Sequence, residues 1–401
     1  MNKIYKAAII GGGSAGLLCA VELLSGENRL TGDNVVILER NDRTGKKLIA
    51  TGNGQGNLSN ALLCADNYSG EKNFVAAFIG QVKSVNPVLY LENIGIITEK
   101  DESGRIYPVS RQANSVLDII RAYLASKDCT VKTGFKAVNI VKNGGLFTIT
   151  AENGEKILAE KVVLAAGGKA AKQFGTDGTA YALATAFGHK LTALHPSLVQ
   201  LKTEKEPIKG LKGIKHNVKA ALFDGGDFIK QSFGDLLFTD YGVSGNAVFK
   251  ISDKVSVLHS PVLKIDFLPA FSEERLSEIL KDRLFEGYIP KTDILNGLVH
   301  KKLGENIVKR ADGDLKKIIK SVKSYEIKII GTLGFDYAQT TKGGIDTADI
   351  APDTYESRLQ NGLYIVGEML DVDGECGGYN LTFAFVSGIT AAKSIKNEIK
   401  K

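Results

Sequence analysis

Ala7-Ala8-Ile9-Ile10-Gly11-Gly12-Gly13-Ser14-Ala15-Gly16 is the stretch that decides the fold of this 401-residue chain. A strand-like apolar run passes directly into glycines, after which Leu17, Leu18, Val21 and Leu24 recur at helical spacing. Val35-Val36-Ile37-Leu38 is the next apolar run, and Glu39 stands at its end. Strand, glycine turn, helix and strand at this spacing predict a βαβ unit with a parallel sheet. In Gly11-x-Gly13-x-x-Gly16 the first glycine permits the tight turn and the second leaves room for a pyrophosphate. The third lets helix and sheet pack closely. The phosphates would rest on free N–H groups at the positive helix end, where Ser14 and Ala15 stand. Glu39, followed by Arg40, can accept hydrogen bonds from both ribose hydroxyls, a geometry that a 2'-phosphate would disrupt. The expected dinucleotide is FAD or NAD rather than NADP.

Around this unit the composition is 43% apolar and 24% charged, which excludes a disordered chain. At roughly 150 residues per domain, the length predicts two or three domains. Every hydrophobic run is broken by Gly, Ser, Lys or Glu before the roughly 18 apolar residues of a membrane span, so no membrane insertion is expected. The start runs straight into the first strand without a long apolar core or cleavage site, and a cytoplasmic location is expected. Cysteines 19, 64, 129 and 376 form no CxxC pair, so neither a disulfide framework nor a bound metal is expected. The net charge of +6, from 51 basic and 45 acidic residues, permits a polyanionic partner without requiring one.

Further along, Phe135 to Val141, Leu146 to Thr150 and Lys156 to Ala165 are strand-like runs. Asn143-Gly144-Gly145 and Glu152-Asn153-Gly154 separate them as turns and make a β-meander. From Leu191 to Phe267 the apolar runs are short and glycine-rich, which predicts a mainly β insertion. From Ser272 the period becomes helical, with Leu276, Ile279, Leu280 and Leu284 on one face and Ser272 with Glu273-Glu274 as the start. Gly362 to Glu368 reads as a closing strand of the first domain. The expected fold class is α/β: a Rossmann-like FAD-binding domain with a β-meander, an inserted mainly-β subdomain and a small helical subdomain. By residue, 1–190 and 346–401 form the FAD-binding domain, 191–270 the β-rich insertion, 271–328 the helical subdomain and 329–345 the insertion's return strand.

A nicotinamide dehydrogenase would continue its sheet with further βα units, whereas this chain inserts a meander that ends in Ala165-Ala166-Gly167-Gly168. That favours FAD. With Glu39 and the terminal Gly-Leu-Tyr-x-x-Gly-Glu, the pattern resembles the glutathione-reductase-type flavoprotein superfamily. A narrower resemblance rests on Thr44 to Asn60, Gly234 to Ala247 and Gly367 to Leu381, which are similar to the BaiN/RdsA-type (aminoacetone oxidase-like, YhiN-like) FAD-binding oxidoreductases in matching order. Members of that family carry Arg-Cys where this chain has Gln55-Gly56, so no role for that thiol transfers.

In the first of these segments, Asn57, Ser59 and Asn60 offer donors and acceptors for a ribityl chain or flavin ring, and Lys46, Lys47 and Leu48 are assigned to the cofactor as well. Lysines in such a loop either face pyrophosphate or are solvated. Ala137 on the meander and Ala166-Gly167-Gly168 at its end join the set. Gly367 and Glu368 are expected at ribityl hydroxyls, and Gly377-Gly378 would open a helix through Asn380 and Leu381. Such a helix start stabilises the negative charge of a reduced flavin by about 1 to 2 kcal/mol when partly buried.

No second GxGxxG and no Cys-x4-Cys pair appears, so NAD(P)H would dock transiently as reductant and dithiol chemistry is excluded. Hydride transfer from the reduced flavin N5 remains, with a protein acid or water supplying the proton. Cys376 and Tyr379 are the candidate acids and Arg105 a candidate anchor for a substrate carbonyl or carboxylate. Each has a plain alternative, respectively an inert thiol, a packed ring and a turn residue. His195, before Pro196, reads as structural. The row Lys202, Lys205, Lys209, Lys212, Lys215 and Lys219 is either a solvated loop or hairpin or a contact for RNA phosphates. The resemblance implies reduction of an activated C=C bond of a small molecule. Reduction of uridine in ribosomal RNA, amine oxidation with oxygen, and a flavin carrier without catalysis stay open beside it.

Overall fold

The computed structural model describes residues 3–399, which divide into two compact units. Residues 3–195 and 340–399 form the first, and Pro196–Gln339 the second.

The first unit is built on a seven-stranded sheet. Thr130–Lys132, Val35–Leu38, Ile4–Ile10, Lys156–Leu164 and Leu363–Ile365 run parallel in that order. Lys156–Leu164 is long enough to pair also with Leu146–Ala151, which pairs in turn with Ala137–Asn143, both antiparallel. The meander therefore grows out of the central strand. Strand Val35–Leu38 is buried at every residue, as a strand covered on both faces must be. The helix Ser14–Leu23 follows the glycine turn, and the closing helix Tyr379–Ile399 packs against it. Their approach depends on a small residue, since a Cβ at Gly388 would lie 2.2 Å from the Ala15 carbonyl oxygen.

One segment, Lys72–Asn93, is long and apolar enough by length and composition to cross a membrane. It is two helices, Lys72–Val85 and Pro87–Asn93, broken at Asn86 where φ is 45°. The first of them buries Phe74, Val75 and Phe78 in the core.

The second unit is a closed antiparallel barrel of Leu201–Thr203, Gly242–Ser244, Asp227–Phe238, Lys215–Asp224, Pro261–Asp266 and Tyr325–Thr332. The helix Glu273–Glu286 starts at Ser272, whose hydroxyl accepts from the Arg275 amide at 3.2 Å. Three differences from the expected boundaries follow from packing. Leu276, Leu280, Ile307 and Ile318 of the helices share one core with Val218, Leu236 and Ile327 of the barrel, so the helices form no subdomain of their own. The return strand begins at Tyr325 and ends at Thr332, because Leu263 and Ile265 need its partners Ile327 and Tyr325. Residues 191–195 and 340–345 belong to the first unit.

Candidate active site

The glycine turn tests whether a dinucleotide fits. A Cβ at Gly16 would lie 2.0 Å from Gly11 O, and one at Gly11, where φ is +108°, 2.4 Å from Ala165 O. Both positions are glycine for the protein's own packing. At Gly13 a Cβ would meet nothing closer than 4.0 Å, so the protein itself makes no demand for glycine there. The absence of a side chain at Gly13 fits a pyrophosphate lying against the helix start, where the first amides have no intrahelical acceptor.

Glu39 is buried at the end of its strand. Its Oε2 accepts from the Gly12 amide at 2.8 Å, and its Oε1 accepts from the Asn41 amide at 2.8 Å and the Asn41 carboxamide at 2.7 Å. Three of roughly four acceptor positions of the carboxylate are thus filled, and the oxygen with spare capacity for a ribose is Oε2. Arg40 pairs with Asp177 at 2.8 Å. Burial opposes ionisation of Asp177, but Arg40 and the hydroxyl and amide of Thr179 outweigh it and hold the carboxyl well below its usual range. Ala137 lies two residues beyond Phe135, whose amide donates to Glu39 O.

The two lysines read as facing either pyrophosphate or solvent are both engaged with carboxylates. Lys46 pairs with Asp42 at 2.5 Å, and Lys47 reaches Glu368 Oε2 at 2.6 Å across 321 positions. Glu368 Oε1 accepts from the Thr341 amide at 2.9 Å, while Thr341 Oγ1 accepts from the Lys169 and Ala170 amides at 2.8 and 2.9 Å. Gly168 is enclosed by this knot, since its Cβ would lie 2.5 Å from Thr341 Oγ1 and 2.8 Å from Glu368 Oε1. Ala166 directs its amide at Met369 Sδ, 3.4 Å away. Leu48 is buried in the core, and Gly367 needs its small size against Ala15.

Asn57, Ser59 and Asn60 meet the turn before the closing helix, but with side chains that hold protein rather than stand free for a ring. Asn60 Nδ2 donates to Gly377 O at 3.0 Å, and the Ser59 and Thr382 hydroxyls are 2.9 Å apart. In the orientation that satisfies both groups, the Asn57 carboxamide accepts from the Gly378 amide at 3.2 Å and donates to Ser59 O at 3.1 Å. Asn380 is likewise engaged, with Gly374 O at 2.6 Å and the Gly374 amide at 2.9 Å. What these residues leave for a cofactor is the backbone they shape. Leu381 is partly buried against the core. Gly56, at φ +76°, stands in the left-handed region that glycine adopts without strain.

Arg105 is brought to the same turn. It is paired in register with Asn60, the residue that holds Gly377 O. Its guanidinium has no ion pair or hydrogen-bond partner among the described residues, and it acts electrostatically on Tyr379. Burial raises the Tyr379 phenol, with Glu375, Cys64 and Cys376 adding to it and Arg105 opposing. Tyr379 therefore keeps its proton at neutral pH and is a donor there. Tyr68 fixes its position, donating to Tyr379 O at 2.9 Å with the two rings edge to face at 6.0 Å. Cys376 is partly buried in the same turn.

The model of the HI0933-like protein Rossmann domain matches residues 5–394. The chain belongs to the HI0933-like family. Within that family's reach, it is 35% identical over 413 aligned positions to a Clostridium scindens protein named 3-dehydro-bile acid delta(4,6)-reductase, covering 98% of this chain and 99% of the other. A Haemophilus influenzae ribosomal RNA dihydrouridine synthase is 27% identical, covering 99% of this chain and all of that one. The fold is also that of a Rhodococcus jostii 3-ketosteroid-delta4-(5alpha)-dehydrogenase, with a TM-score of 0.52 at 15% identity over 98% of this chain and 97% of the other. As a member of the HI0933-like family the chain is an FAD-dependent oxidoreductase, in agreement with the segments that carry the resemblance.

Sequence reasoning missed Asn41, Thr341 and Met369. Asn41 is two residues from Glu39 and could have been found from that adjacency. Thr341 and Met369 carry no local signal, because their partners lie 172 and 203 positions away.

Proposed function

We propose that this HI0933-like protein reduces an activated C=C bond of a small apolar carbonyl compound, with NAD(P)H as its transient reductant. The observation that carries the reading is Arg105, whose guanidinium forms no ion pair among the described residues and acts electrostatically on Tyr379 at the turn before the closing helix. When bound, FAD would supply hydride chemistry. Arg105 would hold the carbonyl oxygen and draw electron density from the conjugated bond. Tyr379 Oη–H would deliver the proton, with Cys376 as the neighbouring thiol. Leu62, 69% exposed and packed over Gly104, offers an apolar surface next to Arg105. The name of the Clostridium scindens relative, a 3-dehydro-bile acid delta(4,6)-reductase, supports the same class.

Uridine in ribosomal RNA is the second reading, supported by the names of two relatives. The lysine row gives it less support than its spacing promised. Lys212 pairs with Asp240 at 3.0 Å, Lys215 with Asp235 at 2.7 Å, and Lys205 donates to Asp240 O. The row is spread over two strands and the turns between them.

The test is stopped-flow reoxidation of anaerobically reduced holoenzyme by a 3-oxo-4-ene steroid, a simple enone and a uridine-containing RNA fragment. Faster reoxidation by the enones than by buffer is expected. Reoxidation by RNA alone would transfer the reading to uridine, and inertness to every enone would remove it.

A further inference from the structure

The segment that follows Gly168 is tied to the end of the strand carrying Glu39 by two separate contacts. Arg40 Nη1 meets Asp177 Oδ1 at 2.8 Å, with side-chain exposures of 31% and 34%. Asn41 Nδ2 donates to Glu39 Oε1 at 2.7 Å and also lies 3.2 Å from Phe174 O, so one carboxamide bridges the ribose-binding carboxylate and the segment. The segment is shaped around that carboxamide: a Cβ at Gly175, where φ is +94°, would lie 2.3 Å from Asn41 Nδ2. Asp177 is itself fixed, accepting from the Thr179 hydroxyl at 2.6 Å and amide at 3.1 Å, and Thr176 Oγ1 donates to Ala170 O at 2.5 Å. Ala171 at the start of the segment is buried, yet the polar contacts beyond it run to the carboxylate assigned to the ribose and to its neighbours. Phe174 and Asp177, which make those contacts, are themselves only partly buried.

From this we infer that residues 171–179 form a clasp over the adenosine end of the dinucleotide, with Asn41 as the positioning residue for Glu39 and Arg40–Asp177 as the catch. The inference rests on the FAD assignment, and it adds that release of the cofactor requires the clasp to open. Opening breaks the Arg40–Asp177 pair and frees one donor of Asn41, so it raises the off-rate of ligands that contain adenosine. Ligands that lack adenosine do not engage the clasp.

The experiment uses holoenzyme of the full chain and follows flavin fluorescence after dilution into a large excess of an apoprotein trap. Arg40→Ala and Asp177→Asn are each expected to release FAD about fivefold faster, the scale of a partly exposed pair near 1 kcal/mol. The double variant is expected to be no faster than either single variant. Arg40→Asp with Asp177→Arg restores the wild-type rate, which guards against a variant that merely folds poorly. The affinity of apoprotein for riboflavin stays unchanged in all four. Wild-type off-rates in both single variants overturn the clasp, as does an equal loss of riboflavin affinity. Protein that takes up no FAD at all overturns the cofactor assignment instead, a result that no clasp variant produces.

Discussion

Glu22 of the first helix and Lys396 of the closing helix meet as an ion pair, with side-chain exposures of 8% and 9%. They are 374 residues apart and join the two portions of a unit interrupted by the inserted barrel. Lys396 Nζ also donates to Ser25 O at 3.2 Å, and the Tyr90 hydroxyl is buried nearby, its phenol pushed up first by burial and then by Glu22.

Removing one partner leaves the other charge buried without compensation. Lys396→Met is therefore expected to destabilise the first unit by about 3 to 5 kcal/mol, read as a lower urea midpoint. The double variant Glu22→Leu, Lys396→Met replaces both charges with apolar side chains and is expected to recover most of that loss. A single variant as stable as wild type would show that the pair contributes nothing.

The contact of the same two helices makes a second prediction. A methyl at Gly388 would be driven to 2.2 Å from a carbonyl oxygen, a backbone atom that cannot rotate away. Gly388→Ala should cost about 1 to 3 kcal/mol through forced separation of the helices, and the loss should appear in holoenzyme and apoprotein alike. A melting temperature within a degree of wild type would contradict the close approach.

Acid sensitivity follows from His189. The ring is buried, Nε2 lies 2.7 Å from Ser357 Oγ, and no protein partner reaches Nδ1 among the described residues. Ser357 Oγ already accepts from the Leu359 and Gln360 amides at 3.1 and 3.0 Å, so its own proton goes to Nε2 and the neutral imidazole is the form that fits. Burial lowers the His189 pKa below its ordinary 6.5, with Asp349 opposing. A folded-state value below the unfolded one means that the unfolded chain binds the proton more readily, so this stability is intact above pH 6.5 and is lost as pH falls toward the folded value. His189→Gln should flatten the pH dependence of the melting temperature in that window. An unchanged slope would assign it to other groups.

The parallel sheet and its glycine turn were legible because their signals are local. Four apolar residues, a glycine triplet and a helical period lie within Ala7–Leu24, and the meander's turns are Asn-Gly-Gly and Asn-Gly. The barrel was not legible. Leu201–Thr203 and Gly242–Ser244 are only three residues long, too short to show a period of two. Leu201 closes the barrel by pairing with Thr332, more than a hundred residues on. Nor does sequence tell which apolar faces share a core, so Leu276 and Ile318 read as a separate helical unit until their packing against the barrel was seen. At the candidate site the sequence offers residue types, while their partners come from the tertiary fold. Asn57, Ser59 and Asn60 offer hydrogen-bonding groups in the sequence, and in the fold those groups are spent on Gly378 and the Ser59 carbonyl, on Thr382, and on Gly377 respectively. Lys47, open in the sequence between pyrophosphate and solvent, meets Glu368, a partner that only the tertiary fold supplies.

Arg105 carries the last prediction. Its strand partner Asn60 fixes it beside the turn that holds Tyr379, and its guanidinium forms no ion pair among the described residues. A group acting on the oxygen where charge develops should affect kcat more than KM. Arg105→Met is thus expected to lower kcat for an enone by roughly 10²-fold, on the scale of losing one oxyanion donor. Arg105→Lys, which keeps charge without the planar fork, should recover only part of it. Tyr379→Phe tests the proton separately: burial keeps the phenol protonated, so the wild-type rate should hold through neutral pH, whereas the Phe variant should become limited by proton supply and speed up as pH falls. If Arg105→Met raises KM alone with kcat intact, the guanidinium only captures substrate. If neither constant moves, the carbonyl is bound elsewhere in the protein.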